Sequence, residues 1–188
     1  MLESLREKWG LRAIRKAKRQ AKTARELIPL DEVRHVQLVV PSDNLECFNA
    51  TVELGRQLAT SRRQVQVISV CLEKRPDDRL LMREGVVLFT RSSVSWLYKP
   101  NEPLLFDVTA PRPDLLVDFS LQPDLTLQWI AYFSRANIKI GFSEFEGVPI
   151  HDITFAMKEG TNIQDQFNVL QQYLSKLSGQ EAKEAMNA

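Results

Sequence analysis

The chain has 188 residues, which suits one domain of ordinary size. Hydrophobic residues make up 44% of it and charged residues 26%, so a wholly disordered or fibrous protein is excluded. The net charge of +1 hides an asymmetry, because residues 1–25 hold nine Lys or Arg against two Glu. This segment therefore carries a charge of +7, and the rest of the chain carries −6.

Export, membrane and metal signals are lacking in this sequence. No apolar run approaches the roughly 18 residues of a membrane span, and the charged N-terminus lacks the apolar core of a secretory signal. Cys47 and Cys71 form no C-x-x-C pair, and no third ligand stands at a recognisable spacing from His35 or His151. We expect a soluble cytoplasmic protein without a transmembrane segment, a metal site or a cofactor.

The first predicted element is a basic amphipathic helix over residues 1–28, rich in Ala, Leu, Arg and Lys and free of Pro until Pro29. Its candidate partner-binding cations are Arg12, Arg15, Lys16, Lys18, Arg19, Lys22 and Arg25. They could contact RNA or DNA phosphates, an acidic protein partner or an anionic membrane surface. Alternatively, the helix is solvated and packs on the domain, or on a second copy in a homodimer. That packing would use Leu2, Leu5 and Trp9, which begin an apolar stripe that continues through Ala13, Ala17, Ala21 and Ala24.

Residues 29–178 are predicted to form one α/β domain, and residues 179–188 a flexible tail. Apolar runs predict strands at 35–40, 64–72, 86–90, 115–119, 138–142 and 153–157. Amphipathic segments predict helices at 44–60, 125–135 and 163–177. Four prolines between residues 100 and 113 indicate an irregular segment. The alternation predicts a three-layer sandwich around a mostly parallel, Rossmann-like sheet, with strand 36–40 beside strand 115–119.

Polar side chains follow those two neighbouring strands at their carboxyl ends, where open α/β sheets bind ligands. Ser42, Asp43 and Asn44 follow the first strand, while Asp118 and Ser120 end the other. They are candidate ligand-binding residues of one crevice, and the two carboxylates could also act as an acid-base pair. The alternative is that Ser42 or Asp43 only caps the next helix and Asp118 only anchors a loop.

Motifs for nucleotide or nucleophilic chemistry are missing from the sequence. There is no G-x-G-x-x-G after the first strand, no G-x-x-x-x-G-K-S/T loop and no G-x-S-x-G elbow. Cys71 lies in an apolar strand, where an inert core thiol is expected. We predict His35 and His151 to be structural or solvated. Trp96, near Lys99, could stack on a base or could pack over a sheet edge.

The order of motifs resembles a family of uncharacterised proteins, a domain of unknown function typical of Bacteroidota. The resemblance rests on the basic helix, strand 35–40 and the segments SVSWLYKP (93–100), PDLLVDFS (113–120) and ANIKIG (136–141). It implies no activity and no functional residue.

A second resemblance is local. Residues 115–120, the following helix and residues 135–142 are similar to the N-terminal half of heptosyltransferase-like glycosyltransferases. Those enzymes bind the sugar nucleotide largely through a second domain, and the chain ends where that domain would begin. The resemblance therefore implies a Rossmann-like fold and counts against this kind of catalysis.

The sequence favours a non-catalytic binding or adaptor protein that attaches to a protein or nucleic-acid partner through its basic helix. The rival hypothesis is a small enzyme or polar-ligand-binding domain that acts at the crevice of Asp43 and Asp118. We assign no catalytic residue.

Overall fold

The computed structural model describes residues 2–18, 32–81, 83–158 and 160–186. Within these ranges the chain alternates strands and helices around one sheet, as the sequence predicts. The strands are β1 (His35–Pro41), β2 (Gln64–Cys71), β3 (Val86–Thr90), β4 (Leu115–Asp118), β5 (Ile138–Gly141) and β6 (Ile153–Thr154). The helices are α1 (Leu2–Lys18), α2 (Leu45–Leu58), α3 (Asp78–Leu81), α4 (Glu102–Thr109), α5 (Leu125–Phe133) and α6 (Ile163–Met186).

All six strands are parallel, in the order β3-β2-β1-β4-β5-β6. This is the classic Rossmann order, in which the direction of winding reverses between β1 and β4. Val36 pairs with Leu115 and Val39 with Asp118, so the predicted neighbourhood of these two strands is confirmed. The carboxyl ends of β1 and β4 therefore lie side by side at the switch point.

Each face of the sheet is covered by its own apolar layer because successive strand residues point to opposite faces. Val117 and Phe119 pack on the face that contacts α2 and α6, where Phe48 and Leu170 are fully or almost fully buried. Leu116 packs on the other face, where Leu127 belongs to α5. Two helical layers around one sheet give the predicted three-layer sandwich.

Helix α4 is a departure from the predicted irregular segment. Pro103 lies in its first turn, where a helix has no acceptor for the N–H that proline lacks. Leu105 and Val108 face the core, so the helix is held by packing rather than by its composition. The clustered prolines that mark a loop in the sequence therefore flank and begin a short helix instead.

Helix α1 packs against α5 through a face that matches the predicted stripe only in part, since Ala13 and Ala17 of that stripe pack on the core beside Ile14. Ile14 is fully buried, and Gly10 approaches so closely that a Cβ at this position would overlap the Leu125 side chain and lie 2.9 Å from the carbonyl oxygen of Leu97. Leu5 and Trp9 are instead 46% and 55% exposed. The centre of the packed face lies at Gly10 and Ile14, which the predicted stripe leaves out, because the missing side chain of Gly10 lets the helix backbone approach α5.

Candidate functional site

A cavity of about 690 Å³ opens at the carboxyl ends of the strands, beside the switch point. Its volume lies within the range of about 300–1,000 Å³ that small-molecule sites occupy. The polar lining residues are Asp43, Asn44, Glu46, Gln122, Asp124, Thr161, Asn162 and Gln166. The less polar lining residues are Pro41, Cys47, Ala50, Phe119, Leu121, Pro123, Met157, Gly160 and Ile163.

The N-terminal ends of α2, α5 and α6 all reach this cavity, and side chains already cap each of them. Asn44 Oδ1 accepts hydrogen bonds from the backbone N–H groups of Glu46 and Cys47, at 3.0 and 3.1 Å. Asp124 Oδ1 accepts from the N–H of Leu127 at 2.8 Å, and Asn162 Oδ1 accepts from that of Asp165 at 2.8 Å. The cavity wall therefore consists of capping side chains rather than of bare N–H groups.

The cap of α2 differs from the prediction, which gave it to Ser42 or Asp43. Strand β1 continues through Pro41, and Ser42 still donates its N–H and its hydroxyl to the carbonyl oxygen of Val70, at 3.0 and 2.8 Å. The chain leaves the sheet only after Ser42, so the cap falls on Asn44. Asp43 is exposed and lines the cavity.

The charged side chains on the cavity wall are all acidic. Asp43, Glu46 and Asp124 line it, and no Lys or Arg among the described residues does. Burial raises the pKa of Asp124 to about 6; the hydrogen bond from Leu127 opposes this rise, and Asp118 and Asp43 add to it. Burial and the acidic neighbours Glu46 and Asp43 likewise raise the pKa of the Cys47 thiol. The charged side chains described on this wall are therefore negative, with no described positive side chain among them to offset them.

Gln166, in the first turns of α6, is a buried lining residue without a partner. Its side chain is fully buried, yet neither its amide oxygen nor its amide nitrogen has a hydrogen-bond partner among the described residues. A buried amide left unpaired costs about 1–3 kcal/mol. Gln166 is therefore a polar group at this cavity whose hydrogen-bonding capacity the described protein does not use.

Asp118, predicted to share the crevice with Asp43, does not line the cavity. It alternates with Val117 and Phe119 along the strand, so its side chain lies on the α5 face, fully buried. Its Oδ1 accepts from the N–H and the hydroxyl of Ser120, at 3.0 and 2.6 Å. Ser120 is itself buried, so neither residue meets Asp43 at the cavity wall.

Asp118 is paired instead with His151, which follows β5 by ten residues. His151 Nε2 lies 3.3 Å from Asp118 Oδ2, and His151 Nδ1 lies 3.2 Å from Glu144 Oε1. Glu144 Oε1 also accepts from the backbone N–H groups of Ile150 and His151, at 3.0 and 2.8 Å. We call Asp118, His151 and Glu144 the buried ionic cluster.

The buried ionic cluster holds His151 in its charged form. Burial lowers the pKa of the imidazole, but the carboxylates of Asp118 and Glu144 more than offset this and raise it to about 9. Burial raises the pKa of Glu144, yet its contacts with His151 leave it lowered overall. Gly141 makes room for the ring, since a Cβ there would overlap the imidazole.

The buried ionic cluster has no surface on which a substrate could act at its centre. The side chains of Asp118 and His151 are 0% exposed. The imidazole lies between the two carboxylates, and each of its ring nitrogens contacts one of them. The three groups therefore do not converge on a common point. Within residues 2–18, 32–81, 83–158 and 160–186, no group of three or more His, Cys, Asp or Glu side chains is arranged to hold a metal ion.

The cations of α1 are partly engaged with the domain. Arg15 donates from Nη2 to the carbonyl oxygen of Glu146 at 2.7 Å, and the Arg12 guanidinium lies 5.9 Å from the centre of the Trp9 ring. Lys16 is exposed. Of the predicted set, the side chain of Lys18 and the residues Arg19, Lys22 and Arg25 lie outside the described residues, as does the side chain of Leu2.

An aromatic surface adjoins α1. Trp96 is 56% exposed, and Arg6 donates to its carbonyl oxygen at 3.0 Å. The Arg6 guanidinium lies 4.5 Å from the Tyr98 ring centre and 5.9 Å from that of Trp96. Arg6 therefore joins the helix to the segment 93–100, whose aromatic residues the sequence singled out.

The family model described as "Family of unknown function (DUF6913)" matches residues 6–177. The chain belongs to this family. The predicted resemblance to a family of unknown function is thus confirmed, and the match begins inside α1, so the packed helix is part of what the family model describes. Comparison with curated proteins and with solved structures finds no match. Among the described helices of this family member, none is long and apolar enough to cross a membrane.

Proposed function

We propose that this protein is a binding domain for a small polar molecule, which it holds in the cavity at the carboxyl ends of β1 and β4. The rival hypothesis from the sequence, a polar-ligand-binding domain, is thus kept, but the site no longer includes Asp118. The acidic residues that serve it are Asp43, Glu46 and Asp124, and Asp118 supports the fold beneath them. Ser42 and Ser120 likewise serve the fold, while Asn44 lines the cavity and caps α2.

The observation that carries the proposal is the unpartnered amide of Gln166. Buried polar groups in folded proteins are nearly always hydrogen-bonded, and an exception calls for a specific reason. Among the described residues, Thr126, Gln128 and Trp129 also have buried side-chain polar atoms without a partner, but of these four residues it is Gln166 that lines a cavity of ligand size, beside three helix ends that are all capped. Both amide atoms lie beneath the cavity surface, so a ligand with one donor and one acceptor would satisfy them after the Gln166 side chain rotates toward the cavity, and would then recover the cost of burying them.

Binding without catalysis is the better account of this chemistry. The Cys47 thiol has a raised pKa, which disfavours the nucleophilic thiolate. His151, which as a histidine could serve as a general acid or base, is enclosed in the buried ionic cluster. The likeness to heptosyltransferase-like enzymes stays a prediction about fold, and the cytoplasmic location stays a prediction from sequence.

The test is a screen of small polar fragments with the full chain, followed by NMR of the side-chain amides. We expect hits to shift the amide signals of Asn44, Gln122, Asn162 and Gln166 together, and to leave Gln128 on the other face unchanged. Gln166→Met, which keeps the shape and removes the amide, should weaken those hits about tenfold, as the loss of about 1.4 kcal/mol predicts. Gln164→Met, on the exposed side of α6, is the matched control.

The proposal fails if fragments bind elsewhere or if Gln166→Met leaves their affinity unchanged. A screen without any hit that moves the Gln166 amide would have the same meaning.

A second function, attachment to a protein or RNA partner through α1, is favoured by one observation. Lys8, Arg12 and Lys16 are exposed on the same helix as the exposed Trp9. Cations beside an aromatic ring are the arrangement that single-stranded nucleic acids bind. The homodimer predicted through Leu2, Leu5 and Trp9 stays a prediction; of these residues, Leu5 and Trp9 are exposed on this helix.

The salt dependence of RNA binding tests this second function. With single-stranded RNA, log affinity should fall by about 0.7 per log unit of salt for each phosphate contacted. Arg12→Ala with Lys16→Ala should reduce that slope, whereas Lys74→Ala, in the loop after β2, should not. A flat response would exclude RNA.

Sedimentation decides between monomer and dimer. The unmodified chain is compared with the Trp9→Ala variant, and a dimer that uses Trp9 should be lost in the variant.

A further inference from the structure

We propose that the ligand of this cavity is an organic cation, a small molecule with a protonated amine on an apolar or polyol skeleton. The inference rests on the proposed function and specifies the chemical class of the ligand. It starts from the wall itself, where Asp43, Glu46 and Asp124 are the charged groups and Gln166 is the unpartnered buried amide.

Charge balance favours a cation despite the three helix ends. Each helix N-terminus is equivalent to about half a positive charge, so three of them contribute about +1.5. The three carboxylates contribute up to −3, and the caps of Asn44, Asp124 and Asn162 already occupy N–H groups that an anion would need. A phosphate or carboxylate ligand would therefore enter a negative site without free donors from these caps.

The ionisation of the wall supports the same sign. Neighbouring acidic groups help to raise the pKa of both Asp124 and the Cys47 thiol, after the larger effect of burial. A bound ammonium group would relieve this repulsion and lower the pKa of Asp124. The cation thus supplies the countercharge that the described wall lacks.

The remaining wall indicates what carries the charge. Phe119, Leu121, Met157 and Ile163 provide an apolar surface, and the Gln166 amide offers one donor pair and one acceptor. A bare inorganic cation would leave this apolar surface and the buried amide unused. A carbon skeleton bearing an amine and a further polar group would use all three.

The experiment compares probes of one shape and different charge. One triplet is phenethylamine, 2-phenylethanol and 3-phenylpropionate, and the other is glucosamine, glucose and glucuronate. Affinity is followed through the Gln166 side-chain amide signal, and the pKa of Asp124 through its carboxyl carbon. We expect the amine of at least one triplet to bind at least about tenfold more tightly than its neutral partner, and to lower the pKa of Asp124.

Variants locate the charge effect. Asp43→Asn and Asp124→Asn should each weaken the amine about tenfold and leave the neutral probe unchanged; Asn preserves the helix cap at position 124. Asp107→Asn, on the exposed side of α4, is the matched control and should change neither.

Each outcome decides between the two proposals. Binding of the neutral or anionic probe as tightly as the amine overturns the cation, and the polar-ligand site stands. If no amine moves the Gln166 amide, the cation is likewise overturned, and the fragment screen alone decides the site. Amine binding that the Asp43 and Asp124 variants do not weaken assigns it to non-specific attraction and also overturns the inference.

Discussion

Two groups of carboxylates lie near the carboxyl end of the same sheet, and they differ in whether a described positive charge lies beside them. In the buried ionic cluster, Asp118 and Glu144 flank a charged imidazole and accept hydrogen bonds from the protein. At the cavity, Asp43, Glu46 and Asp124 line the wall together with Gln166, whose amide has no described hydrogen-bond partner, and no described Lys or Arg lines it. The first group has a countercharge within the protein, and the second group has none among the described residues that line the cavity. Polar residues that stabilise a fold can thus be separated from polar residues that are available for binding.

The largest change in the free energy of unfolding should come from disrupting the buried ionic cluster. His151→Ala leaves Asp118 buried without its countercharge, so the free energy of unfolding should fall by about 3–5 kcal/mol in urea titrations at pH 7. His35→Ala, at the exposed start of β1, is the control and should change it by less than about 0.5 kcal/mol. A small loss at His151 would mean that the cluster does not stabilise the fold.

The pH dependence of stability should show the interaction of the His151 imidazole with the carboxylates of the buried ionic cluster. Because the pKa of His151 rises from 6.5 in the unfolded chain to about 9 in the folded one, its contribution is complete below pH 6.5. That contribution, on the order of 3 kcal/mol, should then be lost as the pH rises through 9. Thermal melts between pH 6 and 10 would show the decline, which His151→Gln should remove. An equal decline in that variant would assign it to other groups.

A substitution at the cavity should instead increase the free energy of unfolding. Gln166→Met removes an unpaired buried amide and keeps its volume, so the ligand-free protein should gain about 1 kcal/mol of stability. Gln164→Met should be neutral within about 0.5 kcal/mol. Urea titration of both variants makes the measurement. A destabilised Gln166→Met variant would show that the amide is satisfied in the free protein, and it would erase the contrast between the two groups.

The smallest effect concerns Asp124. Its pKa is raised from 3.8 to about 6, so the folded state favours the protonated carboxyl, and this stability is present at low pH and lost as the pH rises through 6. Asp124→Asn keeps the cap and removes the charge, and it should therefore stabilise the protein by about 1 kcal/mol at pH 7 and by nothing below pH 4. Melting curves at both pH values test this, and equal effects at the two would contradict it.

Much of the fold could be predicted from sequence because buried parallel strands are short apolar runs. Strands β1 and β4 stand out in this way, and their side-by-side placement follows from the Rossmann order. Helix α4 was missed because Pro103 signals a break except in the first turn of a helix. The stripe on α1 includes Ala13 and Ala17, which pack on the core, but it leaves out Gly10 and Ile14, because the close approach at Gly10 depends on α5, which is far away in sequence.

The candidate site was predictable only in part. The strand-end rule found Asp43 and Asn44, but it could not tell that Asp118 points to the other face, next to His151. A carboxylate within a fully apolar strand was the available signal, since such a group needs a buried countercharge. Gln166 lies three residues after Ile163 and four before Leu170, so helical spacing placed it on the apolar face, but the sequence could not show that its amide would lack a partner. Its burial arises from the packing of α6 against α2.

The sheet ends in β6, a strand of two residues that pairs through Ile153 and Thr154. An edge this short presents few free N–H and C=O groups to another chain, which is one way in which proteins resist edge-to-edge aggregation. Self-association by continuing the sheet past β6 is therefore disfavoured. High concentrations of this protein should leave that edge unassembled, and contacts between copies would then form at other surfaces, such as the longer β3 edge or the helices.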